Sequence, residues 1–326
     1  MVGDSPAMKN VFELIRRIAR TDAPVMITGE IGTGKELAAR AIHERSSRAP
    51  CPFVAINCAA LPANLIASEL FGYEKGAFTG AYARKLGQIE MAGDGTLFLD
   101  EVGDLPLELQ GHLLRFLEER KIVRVGGHNP INVDARIISA TNVDLPKAIA
   151  CGHFREDLFY RLNVLTLLMP PLRARCGDIE LMAAFFLRRI AVEFGRDVTS
   201  FSPDALLALR AHRWTGNVRE MISAIRRAVV MGNTPTIIAE DLGLELALPH
   251  EETPPANIQL ATSHSVFARP RPGSDSERQA VLAALANNNQ NVTHAAQELG
   301  VSRITLYRML CRHNLGRKAQ PCETAQ

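Results

Sequence analysis

The chain has 326 residues, 47% of them hydrophobic and 22% charged, with a formal net charge of +2. That length and balance exclude a disordered regulator, a collagen-like fibre and a disulfide-held mini-protein, and they allow two or more domains with a large core. The longest apolar run, Val164–Leu172, is broken by two prolines and far shorter than the ~18 residues of a membrane span, so no membrane partner is expected.

The start, MVGDSPAMKN, has neither a basic stretch nor an apolar core, so no signal peptide is expected. Cysteines at 51, 58, 151, 176, 311 and 322 show no CxxC pairing and read as free thiols of a reducing compartment. The expectation is a cytoplasmic protein.

Along the first 170 residues, short apolar runs alternate with helical patterns. Pro24–Thr28, Phe53–Ile56, Thr96–Asp100, Ala135–Ala140 and Asn163–Leu168 suit strands buried on both faces of a parallel sheet. Helical stretches such as Glu36–Arg45 and Leu107–Glu119 lie between them. The alternation predicts a doubly wound α/β domain.

Between the first run and its helix stands Gly29-Glu30-Ile31-Gly32-Thr33-Gly34-Lys35-Glu36. In a P-loop the glycines let the backbone wrap a phosphate, N–H groups point inward, and the helix adds its positive end. Lys35 would reach the β- and γ-phosphates, although Glu36 stands where Ser or Thr usually meets Mg²⁺. An ordinary glycine turn is the alternative. The partner motif is Gly95-Thr-Leu-Phe-Leu-Asp100-Glu101, which delivers two adjacent carboxylates to the sheet edge where ligands sit in open α/β folds. Asp100 would hold Mg²⁺, directly or through water, and Glu101 would polarise the attacking water. A strand ending in a solvated acidic turn is the plainer reading; two phosphate-site halves in one sheet favour nucleotide hydrolysis.

Gly76-Ala77-Phe78-Thr79-Gly80-Ala81 brackets one aromatic and one hydroxyl residue with glycines, between a helix ending near Ser68–Phe71 and a new helix expected from Leu86. Such a loop has little apolar content to pack and suits contact with another protein, or else is a surface turn. From Asp178 to Val230 the pattern becomes helices only: Ile179–Phe194, Pro203–Ala211 and Asn217–Met231, with Ser202 as an N-cap before Pro203. Residues 249–273 carry five prolines and read as a linker.

The net charge is unevenly spread. Residues 277–319 hold six Lys/Arg against two acids, leaving 31 against 33 in the rest. A solvated tail or a nucleic-acid footprint would both produce this. In that region Ala295, Ala296 and Leu299 form one apolar helix face, Gly300 a turn, and Ser302 an N-cap for a helix whose inner side is Leu306, Met309 and Leu310. Arg303, Ile304, Tyr307 and Arg308 face outward, as in a helix-turn-helix with a basic recognition helix; a docked helical hairpin is the alternative. A single helix-turn-helix rarely suffices, so a dimer on an inverted repeat is expected.

In this order, GEIGTGKE, FGYEKGAFTGA, GTLFLDE, FREDLFYRLNV and WTGNVRE resemble the AAA+ domain of bacterial sigma-54-dependent activators, the enhancer-binding proteins, over about residues 1–245. The terminal unit resembles their Fis-type helix-turn-helix. GAFTGA is intact, and the family also carries Glu after the P-loop lysine; Ile31 (usually Ser) and Thr215 (usually Pro) depart from its pattern. The resemblance implies an AAA+ P-loop NTPase of α/β class with a parallel sheet (1–172), an all-α lid (173–245), a linker (246–274) and a C-terminal all-α helix-turn-helix domain (275–319). No receiver or sensor domain is expected ahead of Val2, since the AAA+ pattern begins at once.

It further implies ATP and Mg²⁺ as ligands, with Gly29, Glu30, Ile31, Gly32, Thr33, Gly34, Lys35, Glu36 and Asp100 at the nucleotide. Asn57 matches the switch asparagine that holds Glu101, Asn142 matches sensor I, and Arg219 matches sensor II. Arg155 and Arg161 match arginine fingers that reach a neighbour's γ-phosphate, which implies a hexameric ring. Residues 76–81 would contact sigma-54, and Ser302, Arg303, Ile304, Thr305, Tyr307 and Arg308 would meet DNA. The function implied is ATP-driven remodelling of sigma-54 RNA polymerase from a site on upstream DNA. An unfoldase, helicase or clamp loader would need neither GAFTGA nor the terminal unit. A DNA-binding AAA+ regulator without remodelling activity could lose GAFTGA.

Overall fold

A computed structural model of the chain describes residues 1–244 except Leu61 and Asn233, together with 278–279, 281–284 and 299. The linker expected at 246–274 and the DNA-contacting positions Ser302, Arg303, Ile304, Thr305, Tyr307 and Arg308 lie outside the described residues.

In chain order the α/β part runs α1 (Pro6–Ile18), β1 (Val25–Thr28), α2 (Lys35–His43), β2 (Phe53–Asn57), α3 (Ala63–Phe71), β3 (Gly72–Tyr73), β4 (Lys85–Leu86), α4 (Gln88–Ala92), β5 (Thr96–Asp100) and α5 (Leu107–Glu119). It continues with β6 (Lys121–Ile122), β7 (Ile131–Asn132), β8 (Arg136–Thr141), α6 (Leu145–Ala150), α7 (Glu156–Leu162) and β9 (Leu165–Leu168). Five strands form one parallel sheet in the order β2-β5-β8-β1-β9.

Alternation along the inner strands feeds two cores. Leu97, Leu99 and Ile137 pack with α3, α4, α5 and α7 on one face. Phe98, Ile138, Val25 and Ile27 pack with α1 and α2 on the other. This two-faced burial holds only for the three inner strands. Both edge strands, β2 and β9, carry exposed positions, and among the described residues no strand pairs with their outer sides.

The helical part comprises α8 (Asp178–Phe194), β10 (Ser200–Phe201), α9 (Pro203–Ala211), α10 (Asn217–Met231), β11 (Thr236–Ile237) and α11 (Ala239–Leu242). It is not helices only, as the sequence suggested, since β10 and β11 pair in parallel. Its separate core centres on the fully buried Trp214, whose indole N–H donates to Leu209 O at 2.8 Å. Ser202 caps α9 as expected, accepting from Ala205 N. No helix among the described residues is long and apolar enough to cross a membrane.

Helix α1 was not foreseen, although Ser5 caps it, Pro6 opens it, and Met8, Val11, Ile15 and Ile18 line its buried face. Its start is tied to the helical part by Asp178, which is fully buried. Asp178 accepts from Asp4 N (2.7 Å), Ser5 N (2.9 Å), Ser5 Oγ (2.8 Å) and Arg175 Nε (3.1 Å). Burial alone would raise the pKa of this carboxyl. The hydrogen bonds from Asp4, Ser5 and Arg175 outweigh that and hold it below its ordinary 3.8. A lowered folded value stabilises the fold fully above pH 3.8 and less as pH falls through the folded value. Asp178→Ala leaves Arg175 buried without its partner and should cost about 3–5 kcal/mol at pH 7 by urea denaturation. The gap from the unsubstituted chain should narrow below pH 3.8.

Candidate active site

The site forms where β1, β5 and β8 end. Chain leaving β1 passes through Gly29–Gly34 into α2, which begins at Lys35. Gly34 takes φ +95° and serves as N-cap without a side chain, so the first turn of α2 presents backbone N–H groups with no side-chain cap. Thr33 turns its hydroxyl inward to Glu30 O at 2.8 Å and so stiffens the loop.

Lys35 is only 6% exposed, and its Nζ lies 3.1 Å from Gly29 O and 3.3 Å from Glu101 Oε1. At the end of β5, Asp100 is half-buried. Burial and the neighbouring Glu101 charge raise its pKa, partly offset by Lys35. Glu101 adopts φ +51°, a left-handed conformation unfavourable for a non-glycine residue by roughly 1–2 kcal/mol. That turn directs Oε1 at Lys35 and lets Oε2 accept from Asn142 N at 3.1 Å. The two adjacent carboxylates thus face one cation.

Asn57 departs from the expectation. It does not hold Glu101. It sits opposite Asp100 in the β2–β5 register, and its Nδ2 reaches Asp100 Oδ2 at 3.4 Å. Its Oδ1 accepts from Ala59 N and Ala60 N at 2.9 and 3.0 Å. Register explains the difference: Asp100 is the in-line neighbour, while Glu101 has already turned away from the sheet.

A cavity of about 590 Å³ lies between this loop and the helical part, a volume suited to a nucleotide-sized ligand. Ile31, Gly32, Thr33, Gly34, Lys35, Glu36, Asp100 and Glu101 line one side, and Arg219 reaches in from α10. Val2, Met8, Met182, Phe186 and Ile222 supply an apolar end that the motifs did not reveal. Arg219 makes no ion pair among the described residues. Gly29, Glu30, Asn57 and Asn142 stand around the cavity without lining it, and Arg155 and Arg161 also lie outside its lining. Arg155 is exposed at the start of α7 and forks onto Asp157 (3.0 and 2.6 Å), while Arg161 donates to Leu117 O at 3.2 Å.

The two sides of the cavity are joined by Asn217, fully buried at the start of α10 with φ +54°. Its Oδ1 accepts from Leu172 N at 2.7 Å, and its Nδ2 donates to Glu30 Oε2 at 3.1 Å and Ile31 O at 3.0 Å. The next residue, Val218, donates its N–H to Gly32 O at 3.0 Å. Gly32 must be glycine here: it takes φ +78°, and a Cβ would lie 2.3 Å from Gly216 O. Hydrogen bonds from Arg173 and Asn217 hold the Glu30 carboxyl down at about 2. Neither Asn217 nor Arg173 was singled out in the sequence, because each acts through a partner more than 140 residues away.

Residues 76–81 cap a separate β3–β4 hairpin. Leu86 belongs to this hairpin, and the following helix starts only at Gln88. The loop closes on itself through Gly76 N to Ala81 O at 2.8 Å, with Ala81 buried and Phe78 44% exposed. Phe78 is not a free tip, since its ring packs edge-on against Tyr73 at 5.0 Å. The base is clamped by Arg124, which forks onto Glu74 (2.6 Å) and Glu90 (3.0 and 2.6 Å). Arg124 lies between β6 and β7, which form a second, unforeseen hairpin. At Gly126, a Cβ would meet the Cβ of Ala77 at 2.7 Å.

Comparison with known proteins agrees with this arrangement. Residues 1–168 match the sigma-54 interaction domain family, 173–258 an AAA+ ATPase lid domain, and 274–312 the Fis family of bacterial regulatory proteins. The regulatory protein AtoC of Escherichia coli is 47% identical over 93% of this chain and 65% of its own length. The transcriptional regulator NtrC of Proteus hauseri is 43% identical over 95% and 69%. Crystalline NtrX of Brucella abortus in complex with ATP superposes with a TM-score of 0.71 at 37% identity, covering 97% of this chain and 69% of that one. The chain thus spans about two thirds of the length of the curated relatives it matches.

Asn217→Ala should cost about 2–4 kcal/mol in urea denaturation, by stranding buried partners and putting alanine, which tolerates a left-handed backbone less well than asparagine, at φ +54°. Asn217→Gly should recover only the backbone share. Both should weaken binding of a fluorescent ATP analogue, as the lid loses its hold on the P-loop.

Proposed function

Because the chain belongs to the sigma-54-dependent transcriptional regulators, AAA+ ATPases with a Fis-type helix-turn-helix, we propose that it uses ATP hydrolysis to convert the closed complex of sigma-54 RNA polymerase into the open complex. In this reading it acts in the cytoplasm as a ring of subunits, held on upstream DNA by the C-terminal unit as dimers on an inverted repeat. The observation that carries the reading is the pairing of a hydrolytic carboxylate set with an intact GAFTGA loop on its own hairpin, away from the nucleotide cavity.

ATP would lay its phosphates on the N–H groups of Gly32–Lys35 and its base in the apolar end of the cavity. Lys35 would then share its charge between the phosphates and Glu101, freeing Glu101 to orient water. The Asp100 oxygens fit Mg²⁺, which typically takes one or two carboxylates together with substrate phosphates, and a cation there relieves the charge crowding of Asp100 and Glu101. When bound, that ion would neutralise charge on the β- and γ-phosphates.

ATP carries more negative charge than these groups neutralise, so further cations are required in the transition state. Arg219 supplies one from the lid. Arg155 and Arg161 do not line their own subunit's cavity, which supports a role as fingers toward a neighbour's. A link to the loop runs through Asn57, which touches Asp100 and stands at the end of β2, directly before α3 and the β3–β4 hairpin. A partner bound equally in every nucleotide state would gain nothing from hydrolysis, so the loop must present itself differently as the γ-phosphate comes and goes.

Lys35→Ala should abolish nucleotide binding, and Glu101→Ala should bind ATP without turning it over. Arg155→Ala and Arg161→Ala should bind ATP and lose about 10³-fold in turnover. Mixed with Lys35→Ala subunits, they should regain part of it, since an intact pocket can then face an intact finger. No regain in steady-state ATPase assays would assign these arginines to their own subunit.

Thr79→Ala and Phe78→Ala should hydrolyse ATP at near-normal rates, yet fail to bind sigma-54 in the presence of a transition-state mimic and fail to open promoter DNA. Normal opening by Thr79→Ala would remove the remodelling function and leave a DNA-bound ATPase.

A further inference from the structure

A second cavity opens between α1 and α2, on the outer side of the sheet core, and nothing in the ATPase reading uses it. Its volume is about 400 Å³, within the range of small-molecule sites. Phe12, Ile15, Leu37 and Ala41 give it an apolar floor. Arg16, Arg40 and Arg45 stand around it with a single acid, Glu44, so its lining carries an excess of positive charge.

The three guanidinium groups are not equally engaged. Arg40 donates to Glu36 Oε1 from Nε (3.2 Å) and Nη2 (3.1 Å), and it lies over the Phe53 ring at 4.7 Å. Among the described residues, the Arg45 side chain gives one long hydrogen bond, to Ala41 O at 3.3 Å. Arg16 makes neither a hydrogen bond nor an ion pair among the described residues. Two exposed forks therefore stand at an apolar hollow with donors to spare. A planar guanidinium matches a phosphate or carboxylate two donors at a time, and it also lies flat on a ring.

We propose that this cavity binds a small organic anion with a flat apolar body, its phosphate or carboxylate held by Arg16 and Arg45 and its ring resting on Phe12 and Leu37. A protein partner is the poorer fit, because a stable protein interface buries far more surface than this hollow offers. Occupancy is felt at the nucleotide. Leu37 borders both cavities, and the helix that carries Leu37, Arg40 and Ala41 begins with Lys35. A ligand that shifts α2 shifts the P-loop lysine, so the two sites are linked, and linkage is reciprocal. The proposal is independent of the sigma-54 reading.

The test uses the full chain with its nucleotide cavity filled by AMP-PNP and Mg²⁺. Isothermal titration with 2-naphthyl phosphate, 2-naphthoate and 2-naphthol separates anion from ring and phosphate from carboxylate. At least one anion should bind at one site per chain, tenfold or more tighter than 2-naphthol. Arg16→Ala and Arg45→Ala change exposed side chains, and thermal melts should show an intact fold. Each should weaken the anion at least fivefold and leave 2-naphthol unchanged. In separate titrations, the better anion should shift AMP-PNP affinity at least threefold in the unsubstituted chain and not in the doubly substituted one. Equal binding of 2-naphthol, no binding of either anion, or full retention of anion binding in both variants would overturn the site. Unchanged AMP-PNP affinity would overturn its link to the P-loop.

Discussion

A buried asparagine in a left-handed backbone turn connects the two layers between which the nucleotide cavity lies. Asn217 satisfies Leu172 N on one side and Glu30 and Ile31 on the other, and Val218 adds a backbone bond to Gly32. Together with the Arg173 fork onto Glu30, it ties the P-loop to the helical part, whose own core centres on Trp214. That core and the sheet's are separate clusters of buried residues, so apolar packing does not by itself fix the lid over the loop. Buried polar groups cost free energy unless paired, and pairing them across a domain boundary makes one geometry much better than its neighbours. Asp178 does the same at the opposite end of the cavity, tying the start of α1 to the start of α8. Between these two ties lie the apolar end of the cavity and Arg219.

Within that frame the electrostatics are uneven in a useful way. Asp100 and Glu101 crowd negative charge at the end of β5, and Lys35 offsets only part of it. A cation is favoured near Asp100, and a phosphate is favoured at Lys35 and the open end of α2. The strained backbone of Glu101 keeps its carboxylate where those two demands meet. Arg155 and Arg161 stand off the cavity lining, and in the proposed reading they serve a neighbouring subunit's nucleotide.

Much of this was legible in the sequence because it is local. The strand endings at Thr28 and Asp100, the helices Leu107–Glu119 and Asn217–Met231, and the glycines of both loops follow from short-range patterns. What escaped depends on distant partners or on edges. Asn217 is expected as the first residue of a helix, and nothing in its neighbourhood marks its side chain until Glu30 stands beside it. Helix α1 carried its cap and apolar spacing in plain view but was read only as the absence of a leader. Strands β2 and β9 were read as buried on both faces because their composition resembles that of the inner strands, and only sheet order reveals them as edges. Asn57 was assigned to Glu101 by resemblance, whereas register puts it against Asp100. The loop at 76–81 looks short of apolar partners in sequence, yet Phe78 packs on Tyr73 of the strand that leads into it.

In the proposed reading, the loop at 76–81 couples the nucleotide pocket to another protein. Its hairpin is braced by Arg124 and approached by Gly126, so its base is rigid while its glycines stay clear of neighbours. The most direct measurement is open-complex formation by sigma-54 RNA polymerase on a supercoiled promoter, with this chain and either ATP, a non-hydrolysable analogue or no nucleotide. The account predicts open complexes with ATP alone. Opening that proceeds equally well with the analogue, or without nucleotide, would contradict it.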